Sequence, residues 1–290
     1  MYFGVARKGG CNMKASSRLI ICALLLVAFD CHAFEMFIHT GYKNTPDFSK
    51  YGFSKSTIIY EQQIYGPKET RDDISKQNLN KISAIVLTDN SGVVILDIEH
   101  WFKNWGRKSN SQKKEVINRY SNTLDELRMA HPGHKFGYFG VVPAWAHRDI
   151  ISSQKLLSKW FDENEFRKSL VESVDVLYPS LYTHDENPEE WKAKAILVLA
   201  KAKEIANGRK VIPFIWPNYS EMSVEHKYGN RELPVSYWRM QMEFLKDSAD
   251  GFVIWNGALG SKGNWVESMP WWIETKDFVR DNFPGKYNRE

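Results

Sequence analysis

A chain of 290 residues that is 43% hydrophobic and 14% aromatic is long enough to bury one sizeable core. The formal charge of +4 is concentrated at the amino terminus. Residues 1–33 hold Arg7, Lys8, Lys14 and Arg18 against Asp30, so the remainder carries only +1. That balance gives no electrostatic basis for a nucleic-acid partner, and no basic run with interleaved aromatics suggests one.

Residues 1–33 have the order of a secretory leader: Lys14 and Arg18, an apolar stretch over 19–29, then Cys31-His32-Ala33. Cleavage is expected after Ala33, and Met13 is a candidate for the true start. Eleven apolar residues are too few to span a bilayer, so no stable membrane insertion is expected. The three cysteines all lie in this leader. A disulfide-free exported chain fits a secreted or periplasmic location in a bacterium.

From residue 34 onward, short apolar runs alternate with longer amphipathic ones, as in parallel βα units. The clearest runs are 93–96, 136–142, 174–181, 211–216 and 251–255, with weaker ones at 35–39 and 57–60. Between them, Val116, Ile117, Tyr120, Leu124 and Leu127 fall at helical spacing before a stop at Pro132-Gly133. Asn187-Pro188-Glu189-Glu190 reads as a cap, a first-turn proline and a capping acid, opening a helix that stops near Gly208. Pro234 and Pro270 open two more. The expected architecture is one α/β domain over 34–290, a TIM-like (β/α) barrel of about seven to eight strands.

The run over 93–96 ends in Asp97-Ile98-Glu99-His100-Trp101. Strand alternation sends Asp97 and Glu99 to one side, and Leu96, Ile98 and His100 to the other. Their Cα atoms are expected about 6.6 Å apart, within reach of one bound ligand. Two acids at the mouth of an apolar core should raise one pKa and keep that group protonated as a general acid. Other runs end in aromatics and polar groups: Tyr138-Phe139, Tyr178 to Tyr182, Trp216-Pro217-Asn218 and Trp255-Asn256. Acids on a floor with Tyr and Trp walls suit carbohydrate, which offers apolar ring faces and hydroxyls. No glycine-rich phosphate loop, nucleophile elbow or metal-spaced cluster appears, so neither cofactor nor metal is expected. His184, after the Tyr182 run, is a further candidate for the mouth.

These segments resemble the hyaluronidase family of glycoside hydrolases. The stretch over 92–101 is similar to that family's strand bearing Asp-x-Glu followed by Trp. Asn104-Trp105 is similar to its Asn-Trp. Leu177-Tyr178-Pro179-Ser180-Leu181-Tyr182 is close to its Leu-Tyr-Pro-Ser-Ile-Tyr, and 251–255 to its late Gly-Val-Val-Leu-Trp strand. The resemblance implies retaining, substrate-assisted hydrolysis of β-linked N-acetylhexosamine in a polysaccharide or oligosaccharide. Glu99 would be the acid/base and Asp97 the residue orienting the acetamido group. Tyr182 and Trp255 would help to hold the sugar, with Trp216 and Asn256 at neighbouring strand ends. The family's Gly-Phe-Tyr-Gly stands here as Gly137-Tyr138-Phe139-Gly140. Tyr138 therefore reaches the cleft only if the register slips by one, and it is carried forward as a binding candidate on that basis. Residues 34–290 hold no cysteine, so the family's paired cysteines have no counterpart there. The alternative expectation is a catalytically silent glycan-binding barrel of the cell envelope, which Phe139 in place of tyrosine favours.

Overall fold

In the computed structural model, residues 33–66, 74–88, 91–220, 230–257 and 262–287 are described. The leader, except for Ala33, lies outside them. Every apolar run named above contains a strand. These are β1 (Glu35–Thr40), β2 (Thr57–Tyr60), β3 (Val93–Asp97), β4 (Lys135–Tyr138), β5 (Val176–Leu177), β6 (Lys210–Val211), β7 (Phe214–Ile215) and β8 (Gly251–Asn256). The helices are α1 (Glu61–Ile64), α2 (Lys76–Thr88), α3 (Asn110–Ala130), α4 (Gln154–Arg167), α5 (Pro188–Ile205), α6 (Val235–Ser248) and α7 (Pro270–Asn282). Asn187 caps α5 by accepting from Glu189 N, with Pro188 in the first turn as its sequence demands. None of the described helices is long and apolar enough to cross a membrane.

All ladders are parallel, in three sheets: β2-β3-β4, β5-β6 and β1-β8-β7. Continuous pairing around one sheet is therefore not what the ladders display. The expected single strand over 211–216 is divided into β6 and β7 at Ile212-Pro213. The reason is local: Pro179 and Pro213 have no N–H to donate, which breaks a ladder where they stand. Their carbonyls still accept, from Phe214 N at 2.8 Å and Val253 N at 2.9 Å. Single parallel bridges link the sheets, Phe139 to Tyr178, Ser180 to Phe214, and Phe37 to Ser54.

The strands have two differently packed faces. One is covered by the helices in the larger core, with Val94, Leu96, Phe136, Phe252 and Ile254 packed beneath residues such as Tyr120, Trp191 and Trp238. The other carries a smaller cluster drawn from the strands themselves: Phe37, Ile58, Ile95, Val176, Phe214 and Val253 among them. At the β4 position paired with Ile95 stands Gly137. A Cβ there would lie 2.7 Å from the ring of Tyr178, so the missing side chain makes room for that tyrosine.

Candidate active site

Asp97 is the last residue of β3 and pairs in register with Tyr60 of β2. Beyond it the chain leaves the extended conformation. Glu99, at φ −97° and ψ −26°, caps the short turn His100–Phe102. Strict alternation thus stops before Glu99, yet both acids line one cavity. Ile98 is the reason: it stays fully buried in the core under the helices. Its carbonyl accepts from the Tyr120 hydroxyl of α3 at 2.5 Å. With Ile98 anchored outward, the residues on either side are presented to the cavity.

That cavity, of about 290 Å³, is walled by aromatics from successive strand ends: Tyr60, Phe139, Tyr182, Trp216 and Trp255. Tyr182 stacks on Trp255 at 5.8 Å and 27°, and Trp216 meets Trp255 edge-on at 4.8 Å. Phe139 lies tilted against Tyr182 at 5.6 Å. Trp255 Nε1 donates to the Tyr60 hydroxyl at 3.0 Å, fixing both rings beside the acids. The Tyr182 segment is held from behind, where Trp191 Nε1 donates to Leu181 O at 2.8 Å and Lys194 Nζ to Tyr182 O at 3.2 Å.

Electrostatically the acids are perturbed upward. Burial, then the charges of Glu99 and Glu61, push Asp97 up to about 7. Glu99 is raised as well, by burial and then by Glu61. Glu99 is open to solvent at the cavity, whereas Asp97 is half-buried. One proton on the pair near neutrality is the state this favours, as two neighbouring acids at a core strand's end should give. Burial also raises the Tyr182 hydroxyl, with Asp97 the next cause, so it stays a hydrogen-bond donor.

Of the residues singled out from sequence, Asp97, Glu99, Tyr182, Trp216 and Trp255 meet at this cavity. Two do not. Tyr138 pairs with Leu96 across the ladder and shares its outward side. It is buried against Tyr120, its hydroxyl donating to Tyr120 O at 3.0 Å, so no register slip occurs and Phe139 takes the cavity position. Asn256 follows inward-facing Trp255 and alternates away. Its Oδ1 accepts from Trp216 Nε1 at 3.3 Å and Lys262 Nζ at 2.6 Å, so it steadies the wall from behind.

Sequence reading missed Tyr60, Glu61 and Trp145. Tyr60 carried a signal, a strand run ending in tyrosine, but nothing local placed it beside Asp97. His184 does reach the lining, buried and edge-on to Trp145 at 5.8 Å. Burial, followed by the charges of Lys194 and Arg148, holds its imidazole neutral, down at about 3. His100 points away from the acid pair's cavity and donates from Nδ1 to Glu61 at 2.7 Å.

No family model and no curated protein matches the chain. Solved structures do. Bee venom hyaluronidase is similar at a TM-score of 0.60 and 16% identity, over 88% of this chain and 100% of that one. A bee venom hyaluronidase structure in complex with a hyaluronic acid tetramer is similar at 0.56 and 16%, over 88% and 99%. The spore cortex-lytic enzyme SleL of Bacillus megaterium QM B1551 is similar at 0.50 and 12%, over 87% and 74%. At such identities the likeness is one of backbone architecture, and the chain has a hyaluronidase-like glycoside hydrolase fold.

Proposed function

We propose that this protein is an exported glycoside hydrolase acting on β-linked N-acetylhexosamine in glycans, by retaining, substrate-assisted hydrolysis. The observation that carries the reading is the Asp97–Glu99 pair, raised in pKa on the floor of an aromatic-walled cavity. In this reading the three parallel sheets, joined by their single bridges, act as one (β/α) barrel wall over 34–290, after removal of the leader. Chemistry at the carboxyl ends of strands is what such a wall supports.

Glu99, open to the cavity beyond the strand end, protonates the departing glycosidic oxygen. Asp97, set deeper beside Tyr60, takes the acetamido N–H and sharpens its carbonyl oxygen as the nucleophile toward the anomeric carbon. The charge that develops on the cyclising group is met by Asp97. Water, activated by Glu99 now acting as base, then opens the ring, with net retention and no sugar ester on the protein. This departs from the ordinary two-carboxylate scheme, where the second acid is itself the nucleophile. Stacking on Trp255 and Trp216 holds the ring faces, while Tyr182 donates a hydrogen bond.

A reducing-end assay across a panel of N-acetylhexosamine glycans tests the reading, with NMR of the first-formed anomer. Release of reducing ends with retention is expected. An inverted product, or a sugar trapped covalently on Asp97 or Glu99, would overturn the mechanism. A catalytically silent glycan binder is the second reading, because Phe139 brings a ring without a hydroxyl to the cavity. It predicts glycan retention on a column with no release of reducing ends by the wild-type protein.

A further inference from the structure

The acids sit where two lobes of one cleft meet. The cavity of about 290 Å³ and a second of about 970 Å³, on the β1–β2 side, share Tyr60, Asp97, Glu99 and Trp255. A sugar held at the acids can therefore have a neighbour in either lobe. Trp145 and His184 line the first lobe alone, and the hydrolysis proposed above uses neither.

Trp145 is an exposed indole on a fixed backbone. It follows β4 in a segment that α4 pins from behind. Ala144 N donates to Asn164 Oδ1 at 2.8 Å, and Trp160 Nε1 to Ala144 O at 2.8 Å. Arg167 Nη1 donates to Val141 O at 2.7 Å. Ala144 and Ala146 are buried, yet Trp145 between them keeps 37% of its surface exposed. An indole left out of the core on a rigid support suits stacking against a sugar ring, because little backbone order remains to be gained on binding.

His184 supplies a polar partner. It stands edge-on to Trp145 at 5.8 Å and is only 3% exposed, yet neither Nδ1 nor Nε2 has a hydrogen-bond partner. Burial, then the charges of Lys194 and Arg148, keep the ring neutral. A neutral imidazole carries one donor and one acceptor, and a sugar hydroxyl offers both in return. Buried polar atoms without partners cost stability, so such a ring at the wall of a cavity calls for a ligand to complete it.

We propose that Trp145 and His184 form a sugar subsite beside the catalytic centre, Trp145 stacking on the next unit of the glycan and His184 exchanging hydrogen bonds with its hydroxyls. Both ring nitrogens are covered as the structure stands, so a turn of the Trp145 indole between rotamers accompanies binding. The proposal rests on the reading of this cavity as a glycosidase site, and it extends that site by one sugar on the side away from the second lobe.

Two ligands test it, each titrated calorimetrically into the Glu99→Gln protein. An N-acetylglucosamine hexamer is long enough to leave the acids on either side, whereas N-acetylglucosamine thiazoline fills only the position at the acids. Adding Trp145→Ala should weaken the hexamer by about tenfold and leave the thiazoline within about twofold. Trp145→Phe, which keeps an aromatic face, should recover most of that loss. His184→Phe keeps a ring and deletes both nitrogens. It should weaken the hexamer by about three- to tenfold while the melting temperature holds or rises, because the unpaired polar atoms are gone. His184→Ala repeats the binding measurement if phenylalanine is not accommodated. Unchanged hexamer affinity in the folded Trp145 and His184 variants overturns the subsite and leaves the hydrolase reading standing. A parallel loss of thiazoline binding places both residues at the reacting sugar and overturns it equally. If the folded Glu99→Gln protein binds neither ligand, the functional reading falls and the inference with it.

Discussion

On the side of β3 and β4 covered by α3, Tyr120 and Tyr138 lie edge-to-face at 4.7 Å, and both hydroxyls end on backbone carbonyls. On the opposite side, Tyr60 and Tyr182 stand at a cavity beside carboxylates that burial has pushed upward. The residue type is the same and its work differs. Under the helices, several buried polar atoms end on carbonyls of the protein: Trp160 Nε1 on Ala144 O, Trp191 Nε1 on Leu181 O, and Arg167 Nη1 on Val141 O. Such pairing is what buried polar groups need for stability. At the cavity, the acids are left near one another at a cost in stability. A pair that a ligand can complete is favoured at a functional site for that reason.

This contrast yields tests that differ in which property each variant loses. The largest expected effect is on turnover. Glu99→Gln should lower kcat by about 10²–10⁴-fold, the usual worth of a positioned general acid, with little change in melting temperature. Steady-state kinetics beside a thermal melt check both halves.

Asp97→Asn should be nearly as damaging to turnover while moving stability the other way. The folded-state pKa of Asp97 is raised above its unfolded value, to about 7. Folding is therefore favoured while the group is protonated and loses that support as pH rises through about 7. Asp97→Asn removes the cost of ionising a buried acid. The variant should be more stable than wild type at pH 8, by about 1–3 kcal/mol, with the gap closing toward pH 4. Denaturant midpoints at the two pH values read it out, and a gap independent of pH would contradict the electrostatic account.

Trp255→Ala removes a stacking face shared by both lobes and the donor to Tyr60. It should cost about 1–3 kcal/mol in transition-state binding, seen in kcat/KM. The smallest effect separates the two faces most cleanly. Tyr138→Phe should lower stability by about 1 kcal/mol through the lost bond to Tyr120 O, with kcat/KM unchanged. Tyr182→Phe, an identical chemical change, should lower turnover in a folded protein. If Tyr138→Phe impaired turnover as much as Tyr182→Phe, the division of labour between the faces would be wrong.

The placement of elements was legible in the residues because it depends on local geometry. Apolar runs of strand length and the Asn187-Pro188 start of α5 are each dictated within a few residues by backbone period and capping, whereas Glu99 reaches the cavity from a turn beyond the end of β3. Five of the seven candidate site residues, Asp97, Glu99, Tyr182, Trp216 and Trp255, line the cavity. What the chain's own periodicity could not decide was pairing between strands separated by long crossovers. Only the β3–β4 register, with Leu96 opposite Tyr138, turns Tyr138 under α3 and leaves Phe139 at the cavity. Only the β2–β3 register, with Tyr60 opposite Asp97, brings Tyr60 and Glu61 to acids nearly 40 residues further along. Side-chain direction is a property of each strand, readable from period two. Which side becomes a cavity, and who shares it, is settled by long-range packing of one strand against the next.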